Sequence, residues 1–291
     1  MIVVTGATGQ LGRAIVERLI AGRVPASEVG ASVRDPAKAG DLAAQGVRVR
    51  QGDFADRQGL AHAFEGAAQI LIVSSNAAAS GGDPLAQHRN AIDAARAACV
   101  RRIVYTSHMA ASAASAFPPM HTHAATEAML RGSGLAWTAL RNGFYASSGV
   151  SLMQDGLKTG IIEAPEDGKV AWTTHADLAE AAAIILANEG RFDGPTPPLT
   201  ASQALDLADM AAIASKLLGR LVRRAVITEE TLRETMTARS VPLPAVEIAL
   251  GLYRASRASE FAAIDPTLEE LLGRPPTKLD TVIGEVLQGR S

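Results

Sequence analysis

Short apolar runs recur along the first half of the chain, and polar residues rarely interrupt them. Most of their residues are β-branched or aliphatic, which is typical of strands buried on both faces of a parallel sheet. The runs predict strands at Ile2–Thr5, Val29–Val33, Val47–Val49, Gln69–Val73, Arg102–Thr106 and Trp137–Leu140.

The segments between these runs have the periodicity of helices. Leu11–Ile20 and Pro84–Val100 both place apolar residues three or four positions apart, so that each segment has one apolar face. Strands that alternate with helices imply right-handed crossovers between parallel strands. The pattern therefore predicts an α/β Rossmann fold with a doubly wound parallel sheet.

The strand–helix rhythm loosens after about residue 145. Asp155–Val170 is rich in Gly and Pro and predicts turns around a short strand. We expect a Rossmann domain over residues 1–145 and a smaller, partly interleaved C-terminal substrate lobe over residues 146–291, with residues 170–190 returning to the first domain. Helices are predicted at Ala176–Ala187, Leu205–Leu218, Glu229–Ala238, Ala245–Ser256 and Leu279–Leu287.

Composition and charge narrow the class of protein. Of the 291 residues 47% are apolar, which permits a sizeable core, and the formal net charge of -2 gives no reason to expect nucleic acid as a partner. Cys99 is the single cysteine, which fits a reducing compartment. The N-terminus lacks the features of a signal peptide, and no run reaches the roughly 18 apolar residues of a membrane span. We expect a cytoplasmic protein with no membrane partner.

A glycine-rich turn follows the first predicted strand directly and opens the first predicted helix. Glycines at this place permit a tight turn and let the backbone approach a pyrophosphate, whose charge lies against the helix N-terminus. The last glycine lets the helix pack close to the strand. The position predicts a dinucleotide-binding turn formed by Gly6, Ala7, Thr8, Gly9, Gln10, Leu11 and Gly12.

The end of the second strand indicates which dinucleotide is bound. The strand ends in Arg34, whereas NAD-binding proteins have an acidic residue at this place for the ribose hydroxyls. An arginine pairs with a 2′-phosphate, and Lys38 adds positive charge nearby. Asp35 complicates this interpretation, because its carboxylate is able to accept a ribose hydroxyl. Arg34 favours NADP(H).

Polar residues follow the third and fourth strands. Asp53, before Phe54, either accepts a hydrogen bond from the adenine amino group or caps the next helix, and the sequence leaves both roles open. Ser74, Ser75 and Asn76 follow the fourth strand, at the edge where such sheets bind ligands. We expect these small side chains to line the ribose and diphosphate.

Several segments together carry a family resemblance. They resemble the NmrA-like branch of the atypical short-chain dehydrogenases, above all its NADPH-dependent quinone reductases of the second type and triphenylmethane reductase. The segments Gln87–Asn90, Arg141–Tyr145 and Leu271–Pro276 discriminate best, and Thr5–Gly12, Arg34–Lys38, Gly52–Asp53 and Tyr105–Ser107 agree with them.

The resemblance implies a cleft between a Rossmann sheet and a smaller lobe. It also implies NADP(H) contacts at Gly6–Leu11, Arg34 and Ser74–Asn76, and further contacts near the nicotinamide from Asn142, Gly143, Phe144 and Tyr145. Many members of the broader superfamily are dimers, so a homodimer is an expectation.

The Tyr-x-x-x-Lys pair of typical short-chain dehydrogenases is missing. His123 and Glu127 have the corresponding spacing, one helical turn apart. Reduction of a ketone needs a proton donor in the transition state, whereas a quinone yields a weakly basic hydroquinone anion that water protonates. The missing pair therefore favours a quinone-like acceptor and makes positioning of the two reactants the main task of the protein.

The remaining candidates for chemistry are few. His123 either donates a proton or is a residue on the exposed side of a helix or beside the cofactor, and Tyr145 either stacks in the pocket or donates a proton. Glu127 is expected to be structural and His108 to be an ordinary loop histidine. No metal site is expected, because the sequence has no cluster with ligand spacing. Core or lid positions are predicted for Met236, Leu243, Ile248, Leu252 and Tyr253.

Three functions compete. The first is NADPH-dependent reduction of a quinone or similar conjugated aromatic acceptor. The second, which the resemblance raises, is an NmrA-type NADP-sensing regulator without turnover, for which the missing Tyr–Lys pair is typical. The third is an enzyme similar to sugar-nucleotide epimerases, whose tyrosine and lysine are not visible here. The sequence favours the first.

Overall fold

The apolar runs of the first half form a central parallel sheet. The chain is described by a computed structural model, which covers residues 1–22 and 24–289. The strands are β1 (Ile2–Thr5), β2 (Val29–Val33), β3 (Arg48–Gln51), β4 (Gln69–Ile72), β5 (Arg102–His108), β6 (Ala136–Asn142), β7 (Phe144–Tyr145), β8 (Ile161–Ala164), β9 (Trp172–Thr173), β10 (Gly194–Pro195) and β11 (Arg223–Val226).

Helices connect most of these strands. They are α1 (Gln10–Ala21), α2 (Gly40–Ala44), α3 (Arg57–Phe64), α4 (Pro84–Ala97), α5 (Pro119–Arg131), α6 (Ala146–Thr159), α7 (His175–Ala187), α8 (Leu207–Leu218), α9 (Glu229–Ala238), α10 (Leu243–Arg257), α11 (Thr267–Leu272) and α12 (Leu279–Leu287). Among the helices of the described residues, none has both the length and the apolar character that crossing a bilayer requires.

The strand order confirms the predicted doubly wound sheet. Seven parallel strands lie in the order β10-β6-β5-β4-β1-β2-β3. The chain builds outward from β1 to β3 on one side and then from β4 to β6 on the other. The order therefore reverses between β1 and β4, which is the point where such sheets bind ligands outside the carboxyl ends of their strands.

Helices cover both faces of the sheet. Successive strand residues point to opposite faces, so each apolar strand supplies side chains for packing on both of them. Val4 and Leu71 pack against α1, α7 and α11, whereas Val3 and Ile70 pack against α3 and α4. A third cluster of buried side chains, away from the sheet, joins α6, α8, α10 and α12 around Trp172. Two parallel strand pairs, β8–β11 and β7–β9, lie beside this cluster.

The interpretation of Asp155–Val170 was partly wrong. Its short strand exists as β8, but Asp155–Thr159 is the last turn of α6 rather than a turn between strands. The predicted bounds of the other strands and helices differ from the observed ones by no more than three residues.

The C-terminal segment is tied back to α7. Arg274, in the segment Leu271–Pro276, pairs with Asp177 at 2.9 Å and with Glu180 at 2.7 Å, and the N–H group of Thr277 donates to Asp177 at 2.8 Å. Because α7 packs against α1, these contacts tie this segment to the helices that cover one face of the sheet.

Candidate functional site

A groove of about 530 Å³ runs along the carboxyl ends of the central strands. It lies at the reversal between β1 and β4, where the loops after the two strands diverge. The predicted cofactor residues among its lining are Gly6, Thr8, Gly9, Arg34, Asp53, Phe54, Ser74, Ser75 and Asn76. Sequence reasoning thus selected residues that the fold brings to one edge.

The glycine-rich turn exposes backbone donors to this groove. Gly6 has a φ of +60°, which favours glycine, and its carbonyl accepts the N–H group of Gly9 at 2.9 Å. Helix α1 then begins at Gln10 with neither a side-chain cap nor an acidic residue in its first turn. The first N–H groups of a helix have no partner within it, and the helix dipole favours an anion there.

Two residues of the turn serve packing instead. Ala7 and Gly12 are buried and line no part of the groove. A Cβ at Gly12 would overlap the carbonyl oxygen of Gly6 and lie 2.9 Å from its carbonyl carbon. Ala7 and Gly12 therefore set how closely α1 packs against the turn, and their inclusion among direct cofactor contacts does not fit this geometry.

Arg34 is the free cation at one end of the groove. Its side chain is exposed and forms no ion pair within the described residues. Two neighbouring charged groups are already engaged: the Asp35 carboxylate accepts the N–H group of Ala37 at 3.1 Å, and Arg13 pairs with Asp41 at 2.5 Å. The carboxylate that complicated the sequence interpretation is therefore turned to its own backbone.

Asp53 does not cap the helix that follows it. That cap is Asp56, which accepts the N–H groups of Gln58 and Gly59, both at 3.0 Å. Asp53 is half-buried and faces the groove, and within the described residues its carboxylate accepts only the N–H group of Ala55, at 2.9 Å. Of the two roles that the sequence left open, the capping role is wrong.

Side chains of neighbouring strands fix the loop after β4. Thr5 accepts the N–H group of Val73 at 2.9 Å, and Thr106 accepts that of Ser74 at 2.8 Å. These bonds continue the strand pairing beyond the point where the backbones separate. The loop residues Ser74–Asn76 are thereby held between two cavities, because they line the groove and also a second cavity beside it.

The second cavity has a volume of about 480 Å³ and an aromatic lining. No Lys, Arg, Asp or Glu occurs among its described lining residues. Ile248 of α10 covers one side, which agrees with the predicted lid role, although Leu243 on the same helix is 67% exposed and belongs to neither core nor lid. Its ring-bearing residues are His88, Tyr105, His123, Tyr145 and His175.

His123 faces this cavity, so its placement on the exposed side of α5 was wrong. Its Nδ1 atom lies 2.9 Å from the hydroxyl of the buried Tyr105. Burial lowers the pKa of His123 to about 4 and raises the pKa of Tyr105. The imidazole is therefore neutral near pH 7, and a phenol is a better donor to an imidazole nitrogen than the reverse. In that arrangement the second ring nitrogen, Nε2, carries the proton.

Tyr145 stacks on His175, a residue that sequence reasoning missed. Their ring centroids are 4.1 Å apart and their planes are inclined by 30°. Burial raises the pKa of Tyr145 to about 12 and lowers that of His175. His175 is the first residue of α7, directly after its cap Thr174. The cap was a readable signal, but only the fold brings this helix end to the cavity.

The other residues of Asn142–Tyr145 lie behind the cavity rather than in its wall. Asn142 and Gly143 are buried, and the Oδ1 atom of Asn142 has no partner among the described residues. Phe144 packs against Trp172 and Phe261, with ring centroids 5.5 and 5.1 Å apart. Of this predicted contact segment, Tyr145 alone lines the cavity.

Glu127 has the structural role expected of it. Its side chain is 5% exposed, pairs with Arg141 at 2.8 Å and accepts a hydrogen bond from Ser107 at 2.6 Å. His108 is not a loop histidine, because it ends β5 and packs edge-on against Phe144 at 5.3 Å.

A family model and a known relative each match nearly the whole chain. The model of the NmrA-like family matches residues 1–284. Quinone oxidoreductase 2 of Escherichia coli (strain K12) is 39% identical over 283 residues, which cover 96% of either chain.

Two solved structures are similar in both sequence and fold. The NADPH complex of the E. coli NADPH-dependent quinone oxidoreductase QOR2 has a TM-score of 0.89 and 35% identity, covering 99% of this chain and 100% of that one. Triphenylmethane reductase of Citrobacter sp. in complex with NADP(H) also has a TM-score of 0.89, with 33% identity over 98% and 99% of the two chains.

Proposed function

Because this chain belongs to the NmrA-like family, we propose that it is an NADPH-dependent oxidoreductase that reduces a quinone or a similar conjugated aromatic acceptor. One observation carries the proposal: a groove with backbone donors and an exposed arginine shares the loop Ser74–Asn76 with an uncharged cavity lined by aromatic rings. The first part suits an extended anionic dinucleotide, and the second suits a flat, uncharged acceptor.

The groove residues divide into binding roles by position. We assign the diphosphate to the N–H groups of Gln10 and Leu11, the 2′-phosphate to Arg34 and the adenine to Asp53 and Phe54. Ser74–Asn76 would hold the ribose that leads into the second cavity. NADPH supplies the hydride when it is bound at this site.

In the second cavity the protein positions the acceptor and excludes bulk water. We assign Tyr145, backed by His175, as the flat wall against which the acceptor ring packs. We assign His123 as a neutral hydrogen-bond donor to the acceptor oxygen, oriented by the Tyr105 hydroxyl. A donor of this kind stabilises the negative charge that develops on the oxygen.

The first test measures NADPH oxidation by absorbance with menadione, benzoquinone and malachite green as acceptors. Arg34→Ala should raise KM for NADPH about ten-fold and leave KM for NADH unchanged, since a hydrogen bond to a charged group is worth roughly 1.5–3 kcal/mol. Arg101→Ala is the control. Arg101 carries the same charge but directly precedes β5, so it lies at the amino ends of the strands and away from the groove.

The results separate the two leading functions. Turnover that prefers NADPH in the wild type and loses that preference only in the Arg34 variant would support the reductase and the role of Arg34. Tight binding of NADP(H) without turnover of any acceptor would overturn the reductase and favour the NADP-sensing regulator.

A second test addresses His123. His123→Leu should lower kcat for quinones about 10- to 100-fold, towards the low end of what loss of a preorganised donor produces, because water is able to replace it in part. His123→Gln should retain more activity, since its amide places a donor near the position of Nε2. KM for NADPH should stay unchanged in both variants. Equal kcat values for wild type and His123→Leu would exclude the donor role.

An epimerase-like function is disfavoured by Glu127. A lysine at this position would lower the pKa of a neighbouring phenol, whereas Glu127 is negatively charged and bound to Arg141.

The chain divides into two domains in this proposal, and its compartment is the cytoplasm. We propose a Rossmann domain over residues 1–145 and a substrate lobe over residues 146–291, of which α7 serves the first by packing on α1. We propose the cytoplasm as the site of action, because NADPH is regenerated there and the exposed thiol of Cys99 suits a reducing compartment.

A further inference from the structure

Helix α4 contacts both loops of the dinucleotide groove through the segment Gln87–Asn90. The Asn90 side chain donates to the carbonyl oxygen of Phe54 at 2.9 Å, after β3. Gln87 accepts a hydrogen bond from the hydroxyl of Ser75, after β4. The segment has so far no role in the proposed function, although it lies directly behind the groove.

His88 makes the most complete set of contacts in this segment. It is fully buried, and its Nε2 atom accepts the N–H group of Ser75 at 2.9 Å. Since a backbone N–H group only donates, Nε2 is unprotonated and the proton of the neutral ring lies on Nδ1. Nδ1 then donates to the Thr126 hydroxyl at 2.8 Å, which donates in turn to the Thr122 carbonyl oxygen at 2.8 Å.

The contact completes a series along the loop after β4. Three consecutive N–H groups, those of Val73, Ser74 and Ser75, donate to side chains rather than to a neighbouring strand. Their acceptors are Thr5 of β1, Thr106 of β5 and His88 of α4. His88 is the last of these acceptors and holds Ser75, the middle residue of the segment Ser74–Asn76 that lines both cavities.

We propose that His88 is a positioning residue for the cofactor, which acts by fixing the backbone of Ser75 where the groove meets the acceptor cavity. This inference rests on the proposed function. Without the Nε2 contact, the Ser75 N–H group would be left without its partner, and the loop would shift to satisfy it. Ser75 and Asn76 would then be displaced from the positions at which they contact a bound dinucleotide.

Two substitutions separate the two ring nitrogens. In His88→Gln the amide oxygen lies near the position of Nε2 and still accepts the Ser75 N–H group, but the contact with Thr126 is lost. In His88→Asn the amide nitrogen lies near the position of Nδ1 and still donates to Thr126, but the contact with Ser75 is lost. Both variants lose one buried hydrogen bond and much of the ring, so loss of packing affects both.

The experiment measures the Kd of NADPH by fluorescence titration, well below the thermal unfolding midpoint of each variant. His88→Asn should raise Kd about ten-fold, which corresponds to about 1.4 kcal/mol, whereas His88→Gln should stay within about two-fold of wild type. The preference for NADPH over NADH should be unchanged in both, because Arg34 lies at the other end of the groove.

Each alternative result is decisive. Wild type that binds no dinucleotide would overturn the proposed function, and the role of His88 with it. Wild type that binds NADPH while the two variants bind it equally well, or equally poorly, would overturn the positioning role alone. A variant that is unfolded at the measuring temperature is replaced by the pair Ser75→Pro and Ser75→Ala. Both lose the hydroxyl contacts with Gln87 and Ala77, but only Ser75→Pro loses the N–H group that His88 accepts, so its Kd should be several-fold above that of Ser75→Ala.

Discussion

Gly12→Ala is expected to weaken dinucleotide binding strongly and to destabilise the fold. The added Cβ would overlap the Gly6 carbonyl oxygen and lie 2.9 and 3.2 Å from the Gly6 carbonyl carbon and the Ala7 Cα, all of which are backbone atoms that cannot rotate away. Overpacking of this kind costs about 1–3 kcal/mol of unfolding free energy. NADPH affinity should fall about 100-fold, because a displacement of about 1 Å has effects of this size.

Gly284→Ala is the matched control for this prediction. Gly284 lies within α12, and a Cβ there would have no atom within 4 Å outside its own helix. Alanine should therefore stabilise the fold slightly, by about 0.5–1 kcal/mol, with NADPH affinity unchanged. A Gly12→Ala variant that binds NADPH as wild type does would show that α1 is free to move away from the turn, and would remove the packing explanation of this glycine.

The parts of the site that the sequence predicted are those set by neighbours along the chain. The turn after β1 and the arginine after β2 each lie within a few residues of a strand end, and parallel strands bring such ends to one edge. Periodicity was therefore enough to place Gly6, Gly9 and Arg34 in one groove. It was not enough to decide between the two roles of Asp53, because the true cap, Asp56, lies only three positions further along the chain.

Helix α6 shows why glycine misled the prediction of the second half. Gly156 was a turn signal in the sequence, yet it lies within the helix, as does Gly149. A Cβ at Gly149 would lie 2.9 Å from the Trp172 ring, and one at Gly156 would lie 2.9 Å from the carbonyl oxygen of Ile161. These glycines let the helix pack tightly against neighbours, and that requirement is visible only after the chain has folded.

The acceptor cavity was the least predictable part because its residues are distant in sequence. His88, Tyr105, His123, Tyr145 and His175 come from α4, β5, α5, β7 and α7. The sequence offered His123 and Tyr145 as candidates for chemistry, but it gave no sign that the other three rings would join them. The family resemblance implied contacts at Asn142–Tyr145, where only Tyr145 lines the cavity, and it included Tyr105 without implying a role for it.

Acidification is expected to destabilise the protein well above the pH at which carboxylates protonate. Burial lowers the pKa of His88 from its usual 6.5 to about 4, and Nε2 is occupied by the Ser75 N–H group, so the folded chain resists the proton. The unfolded chain accepts it below pH 6.5, and stability is therefore complete above about pH 6.5 and falls as the pH drops towards 4. Loss of the whole contribution of this side chain lowers the free energy of unfolding by about 3 kcal/mol.

Burial lowers the pKa of His108, His123 and His175 as well, so their contributions have the same sign. Urea unfolding at several pH values between 4.5 and 7.5 measures how the free energy of unfolding depends on pH, to which all these histidines contribute. Comparison of wild type with His88→Gln isolates the contribution of His88. Each such histidine should contribute a slope of up to about 1.4 kcal/mol per pH unit within this window, and the variant should lack one of these contributions. A wild-type slope near zero would mean that these rings take up protons in the folded state. The hydrogen bond from Ser75 to His88 would then have to break, and the loop that joins the two cavities would be held less firmly in acid.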